Sequence, residues 1–168
     1  FRQAIKNAQT RVEIDRCEGE ARAIRAYAYF NLVRAFGRVP IVDEVLTSEQ
    51  LASLEQSEIS EIYDFISEDL DYAISVLPVS YPSGYSGRIT SYTAMAIKAK
   101  AMMYAGNWDE VASLADKIIS SGRYGLMSDF REVFSIAGEN GKESLFEIQS
   151  STLGNVNGSA PYIEYAYV

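Results

Sequence analysis

Between residues 59 and 77 the chain places Ile59, Ile62, Tyr63, Ile66, Leu70, Ala73, Ile74 and Leu77 at i, i+3, i+4 and i+7 spacing. This is the stripe of an amphipathic helix with one buried face. Ser57 is its predicted N-cap, Glu58 and Glu61 put negative charge where the helix dipole favours it, and Pro78 denies continuation beyond Leu77. An earlier segment, about Glu18 to Phe36, has apolar residues on almost every side, which predicts a helix enclosed by its neighbours. Gly37 suits a left-handed cap for it, and Pro40 follows. Residues from Phe1 to about Arg11 read as the end of a further helix.

Two more helices are predicted in close succession, Ser91 to Ala105 and Trp108 to Ser121. Thr90 caps the first and Gly106 closes it, while Asn107 and Glu110 form a capping pair for the second. With only Gly106 and Asn107 between them, the helices must fold back as an antiparallel hairpin. The unit from Ser91 to Tyr124 spans 34 residues, the period of a tetratricopeptide repeat. Residues 21–28 and 94–101 share the pattern A-x-A-I-[RK]-A-x-A, 73 residues apart, which supports repetition. The array is irregular, because about 21 residues, Gly37 to Ser57, stand where a repeat would have a short turn. Beyond Gly122 the helical pattern fades. Glu143 to Ser150 alternates as a short strand would, and Thr152 to Val168 reads as loop.

Composition narrows the chemistry. The 168 residues carry 15 Lys plus Arg against 23 Asp plus Glu, a formal charge of −8 that disfavours the phosphate backbone of nucleic acid. With no His and the single Cys17, the chain lacks an internal disulfide, a zinc cluster of the usual kind and a His-based nucleophile pair. No cofactor is expected. No stretch approaches the roughly 20 apolar residues of a membrane span. The fold class expected is mostly α, with tetratricopeptide-like antiparallel helix pairs in an α-α superhelix and a short irregular or β C-terminal part. Residues 1–168 are read as a single domain, irregular from about residue 125 and part of a longer chain.

Among candidate functional residues, Glu68, Asp69 and Asp71 read as a solvated charged face, as do Asp43 and Glu44 in the long connection. Arg22 and Arg25 lie on the enclosed helix and each should meet a carboxylate or carbonyls; Glu18 stands four residues before Arg22. Cys17, placed just before that helix, reads as a small, partly buried residue, and Trp108 reads as core. Asn157-Gly158-Ser159 matches a glycosylation acceptor too short to carry weight. The features with most functional content are Tyr81 and Tyr85 in PVSYPSGYSGR, where core packing has little claim on a large ring. A tyrosine ring with its polar tip suits stacking on a sugar or anchoring a partner. These two are the candidate ligand-binding residues.

The segment from Glu20 to Val42, EARAIRAYAYFNLVRAFGRVPIV, resembles the signature helix and Gly-x-x-Pro turn of the SusD/RagB family of Bacteroidetes outer-membrane lipoproteins. Further pieces follow in that family's order: residues 63–78, Gly87 to Thr90, residues 101–108, residues 115–124 and Glu143 to Ile148. The resemblance implies a tetratricopeptide-like scaffold and a less regular region holding the ligand. It implies a non-catalytic protein, lipid-anchored at the cell surface, that captures an oligosaccharide or, in some members, a peptide. The ligand would be passed to a TonB-dependent SusC-like transporter. Family members are about three times this length, and Cys17, preceded by Ile14-Asp15-Arg16, is not their lipidated cysteine. No binding residue carries over by motif. Two other readings stand beside this one: a tetratricopeptide adapter holding an extended protein segment on its concave face, and a helical glycoside hydrolase, which needs two carboxylates facing one cleft.

Overall fold

The computed structural model describes residues 11–85 and 87–149. Six α-helices are present among them: α1 (Arg11–Phe36), α2 (Ser48–Ala52), α3 (Ile59–Val76), α4 (Ser91–Ala105), α5 (Trp108–Ser120) and α6 (Phe130–Val133). Single 3-10 turns occur at Ser83–Tyr85 and Ile136–Gly138. The long helices pack serially, α1 on α3, α3 on α4 and α4 on α5. Two helix pairs thus stack side by side, as tetratricopeptide-like units do.

The core runs through the three interfaces. Ala23, Ala26, Phe30 and Val33 of α1 meet Ile62, Ile66, Leu70 and Ala73 of α3, whose other flank packs on Ala94, Ile97 and Ala101 of α4. Full burial of a side chain such as Phe30 or Ile66 is worth about 1.5–3 kcal/mol. Alanines bring the axes close, and a glycine goes further: a Cβ on Gly19 of α1 would stand 2.6 Å from Val76 Cγ2 of α3.

Capping largely follows the sequence pattern. Thr90 Oγ1 accepts the Thr93 amide at 3.1 Å, Asn107 Oδ1 accepts the Glu110 amide at 3.3 Å, and Gly106 ends α4 with φ +81°. Four local expectations are corrected. Ser57 is not the cap of α3; its amide goes to the Val39 carbonyl, and Glu58 takes the position, donating its N–H to the Glu61 carboxylate at 2.9 Å. Cys17 lies within α1, because the helix already runs from Arg11. Trp108 is 63% exposed: α4 ends at Ala105, so no facing residue covers a ring at the first position of α5. No strand forms over Glu143 to Gln149, since the Leu145 carbonyl is taken by the Thr93 hydroxyl at 2.8 Å and the Ser144 amide by the Gly141 carbonyl.

The repeated pattern is likewise out of register. Ile24 is 60% exposed, whereas Ile97, its counterpart, is buried, so the two copies do not turn the same face inward. The long connection is tethered at both ends. The Val42 amide donates to the Tyr29 hydroxyl at 2.7 Å, Arg38 pairs with Glu58 at 2.9 Å, and Thr47 and Gln50 cap the short α2. The expected helix end over residues 1–10 and the loop over residues 152–168 lie outside the described residues.

Candidate functional site

Pro78 stops α3 and releases the chain into an irregular segment that crosses back over α1. There Glu20 collects three hydrogen bonds. The Tyr81 hydroxyl donates to Glu20 Oε1 at 2.9 Å, and Arg88 donates from Nε to Oε1 at 2.8 Å and from Nη2 to Oε2 at 3.0 Å. The Arg88 guanidinium also covers the Tyr81 ring, 4.5 Å from its centroid, and approaches the Tyr85 ring at 5.9 Å. Burial, reinforced by the hydrogen bond to Glu20 and its charge, pushes the Tyr81 phenol up to about 12. The ring is held in place by a neutral donor on a fixed acceptor.

Tyr81 and Tyr85 form one wall of a cleft of about 460 Å³. The other wall comes from after α5, with Arg123 and Tyr124, and from the turn carrying Asn140, Gly141, Lys142 and Ser144. Two contacts fix this second wall. The Gly125 amide donates to the Lys142 carbonyl at 3.0 Å, and Tyr92 of α4 meets Tyr124 edge-to-face at 5.7 Å and 73°. The Thr93 bond to Leu145 ties the later segment to α4. Segments distant in sequence thus converge beside the helix pairs, with three tyrosines lining one space.

Of the predicted site residues, Tyr81 and Tyr85 are brought together, the first half-buried and bonded, the second 56% exposed. The acidic cluster does not form one solvated face. Glu68 is exposed, but Asp69 is buried and receives Arg25 Nε and Nη2, each at 2.7 Å, with Arg22 at 3.7 Å. Asp71, though exposed, pairs with the buried Lys98 at 2.6 Å, and Glu110 completes that pairing at 2.5 Å. The α3 face that carries Asp69 is covered by α1, which the helical stripe of α3 alone could not indicate. Arg22 does meet Glu18, at 2.7 Å. Asp43 and Glu44 are exposed. The roles of Glu20 and Tyr124 carry no local sequence signal, because their partners lie on other elements.

The cleft lining contains hydroxyls, an amide, two cations and aromatic faces, with no carboxylate or thiol among its described residues. Such a surface can stack on and hydrogen-bond to a polyhydroxylated ring. The family described as "Starch-binding associating with outer membrane", the SusD-like proteins, matches residues 3–103. The chain belongs to the SusD-like family. Over 154 residues it is 27% identical to SusD-like protein P25 of Formosa agariphila, covering 86% of the chain and 29% of that protein. A SusD-like crystal structure from Bacteroides fragilis is 32% identical with a TM-score of 0.79, covering 84% of this chain and 28% of that one. Surface glycan-binding protein A of Bacteroides thetaiotaomicron, solved in complex with laminarihexaose, is 26% identical with a TM-score of 0.74, covering 86% and 31%. The chain therefore spans under a third of the length of each SusD-like relative. No helix among the described residues is long and apolar enough to cross a membrane.

Proposed function

We propose that this chain is the helical scaffold of a SusD-like nutrient-binding protein, which holds an oligosaccharide at the cell surface without changing it chemically. The protein would be lipid-anchored and would hand its ligand to a TonB-dependent SusC-like transporter. One observation carries the local part of the reading: Tyr81, Tyr85 and Tyr124 line a single cleft with no carboxylate among its described residues. Family membership and the laminarihexaose complex of a relative support a glycan as the occupant. Tyr85 is the residue assigned to stacking, since its ring is exposed and its hydroxyl makes no described hydrogen bond. Tyr81 stands beside it in the same wall, fixed to Glu20.

The test is affinity gel electrophoresis of the full-length protein against a panel of polysaccharides, with Tyr85→Ala alongside. Retardation by a glycan class, with unaltered ligand recovered and retardation lost in the variant, is expected. Release of reducing ends would overturn the non-catalytic part. Failure of every glycan would turn the reading toward a peptide ligand, and co-purification of a transporter would then separate that case from an adapter.

A further inference from the structure

In a chain of net charge −8 the cleft carries positive charge. Arg123 and Lys142 both line it, from two segments joined by the Gly125 to Lys142 backbone hydrogen bond. Both side chains are exposed, and among the described residues neither forms an ion pair. Glu143, next in sequence to Lys142, turns its carboxylate to the Met127 amide at 2.8 Å. Arg88, the third cation nearby, is already neutralised by both oxygens of Glu20. Arg25 and Lys98, in the helix interfaces, are likewise matched to carboxylates. The two at the cleft are left open beside tyrosine faces.

We propose that the cleft selects a saccharide bearing an anionic group, a uronate carboxylate or a sulfate ester, which Arg123 and Lys142 receive while a sugar ring lies against Tyr85. The guanidinium fork matches a two-oxygen acceptor and the ammonium adds a point charge, both charge-assisted and stronger than the neutral bonds a plain glucan could offer. This inference rests on the glycan-binding reading of the same cleft.

The experiment uses the full-length protein in native gels containing polygalacturonate, a sulfated galactan, laminarin or starch, at two salt concentrations. The variants are Arg123→Ala/Lys142→Ala, the charge-conserving Arg123→Lys/Lys142→Arg, Tyr85→Ala, and the control Lys117→Ala/Arg131→Ala at exposed cations outside the cleft. Expected is retardation by one or both acidic polymers, weakened by salt and reduced roughly tenfold in apparent affinity by the double alanine variant, with the control and the charge-conserving variant close to wild type. The polymer that responds identifies carboxylate or sulfate as the group read. A neutral glucan retarding wild type and double alanine variant alike, with loss only in Tyr85→Ala, would overturn the inference and leave glycan binding standing. Equal loss in the control variant would also overturn it, as general charge attraction. If no polymer retards the protein, the glycan-binding reading itself fails.

Discussion

Arg25 and Asp69 face each other across the α1–α3 interface as two parallel hydrogen bonds, Nε to Oδ2 and Nη2 to Oδ1, both 2.7 Å long. Asp69 keeps only 2% of its side-chain exposure, and Phe65 lies under the guanidinium at 4.6 Å. The carboxylate is thus committed to joining two helices and is withdrawn from any solvent chemistry.

Removing one partner should expose the cost of burying the other. Arg25→Met leaves Asp69 with only the distant Arg22 and should lower the unfolding free energy by about 3–5 kcal/mol. Replacing both, as Arg25→Met with Asp69→Leu, should recover most of that loss. Urea unfolding of the four proteins of this cycle measures both; a near-zero coupling would show that the pair does not hold the interface.

Lys98 predicts how the fold responds to alkali. Burial opposes its charge, but hydrogen bonds to Asp71 and Glu110 outweigh that, and its pKa lies above the ordinary 10.5. Because the folded state keeps the proton longer than the unfolded chain, this contribution is complete below pH 10.5 and disappears as pH rises through the higher folded value. Lys98→Met should have a flatter stability profile above pH 10.5, read from denaturation midpoints across the alkaline range.

Tyr81 and Tyr85 should separate by function. Tyr81 is protonated longer in the folded state, so its contribution is present below pH 10.0 and is lost as pH climbs to about 12. Burial also raises Tyr63 and Tyr72, so ultraviolet titration of phenolate should show several delayed tyrosines, of which Tyr81→Phe removes the one near 12, at a stability cost of about 1.5–3 kcal/mol for a bond to a charged acceptor. Tyr85→Ala should leave that titration intact and change stability by no more than about 0.5 kcal/mol. An equal stability loss from both would place Tyr85 in the scaffold.

Gly19→Ala tests the closest helix approach. Alanine favours a helix by about 1 kcal/mol over glycine, but its methyl would meet Val76 Cγ2 at 2.6 Å and the Leu77 side chain at 3.1 Å. The net effect should be destabilising, about 1–3 kcal/mol. Adding Val76→Ala should relieve the clash, so the double variant should be more stable than the sum of the single changes predicts.

The helices were readable because each is written locally. The Ile62, Ile66, Leu70 and Ala73 stripe, the stop at Pro78, the caps at Thr90 and Asn107 and the reversal at Gly106 need only neighbours three or four positions away. The errors fall where a local rule meets a competing partner. Glu58 displaced Ser57 at a cap, Trp108 sits where α4 has already ended, and an alternating segment found Thr93 in place of a neighbouring strand.

By itself the sequence determined a helical, His-free chain with an antiparallel hairpin at Gly106-Asn107, an irregular segment carrying Tyr81 and Tyr85, and the ordered pieces that mark its family. Only the tertiary structure decided that Asp69 is buried, that Glu20 anchors Tyr81 and Arg88 from 61 and 68 residues away, and that Tyr124, Arg123 and Lys142 complete the cleft. Periodicity records which side of a helix is covered. It cannot record which distant side chain does the covering, because that choice is made when hydrogen-bond geometry and close packing bring separate segments to one place.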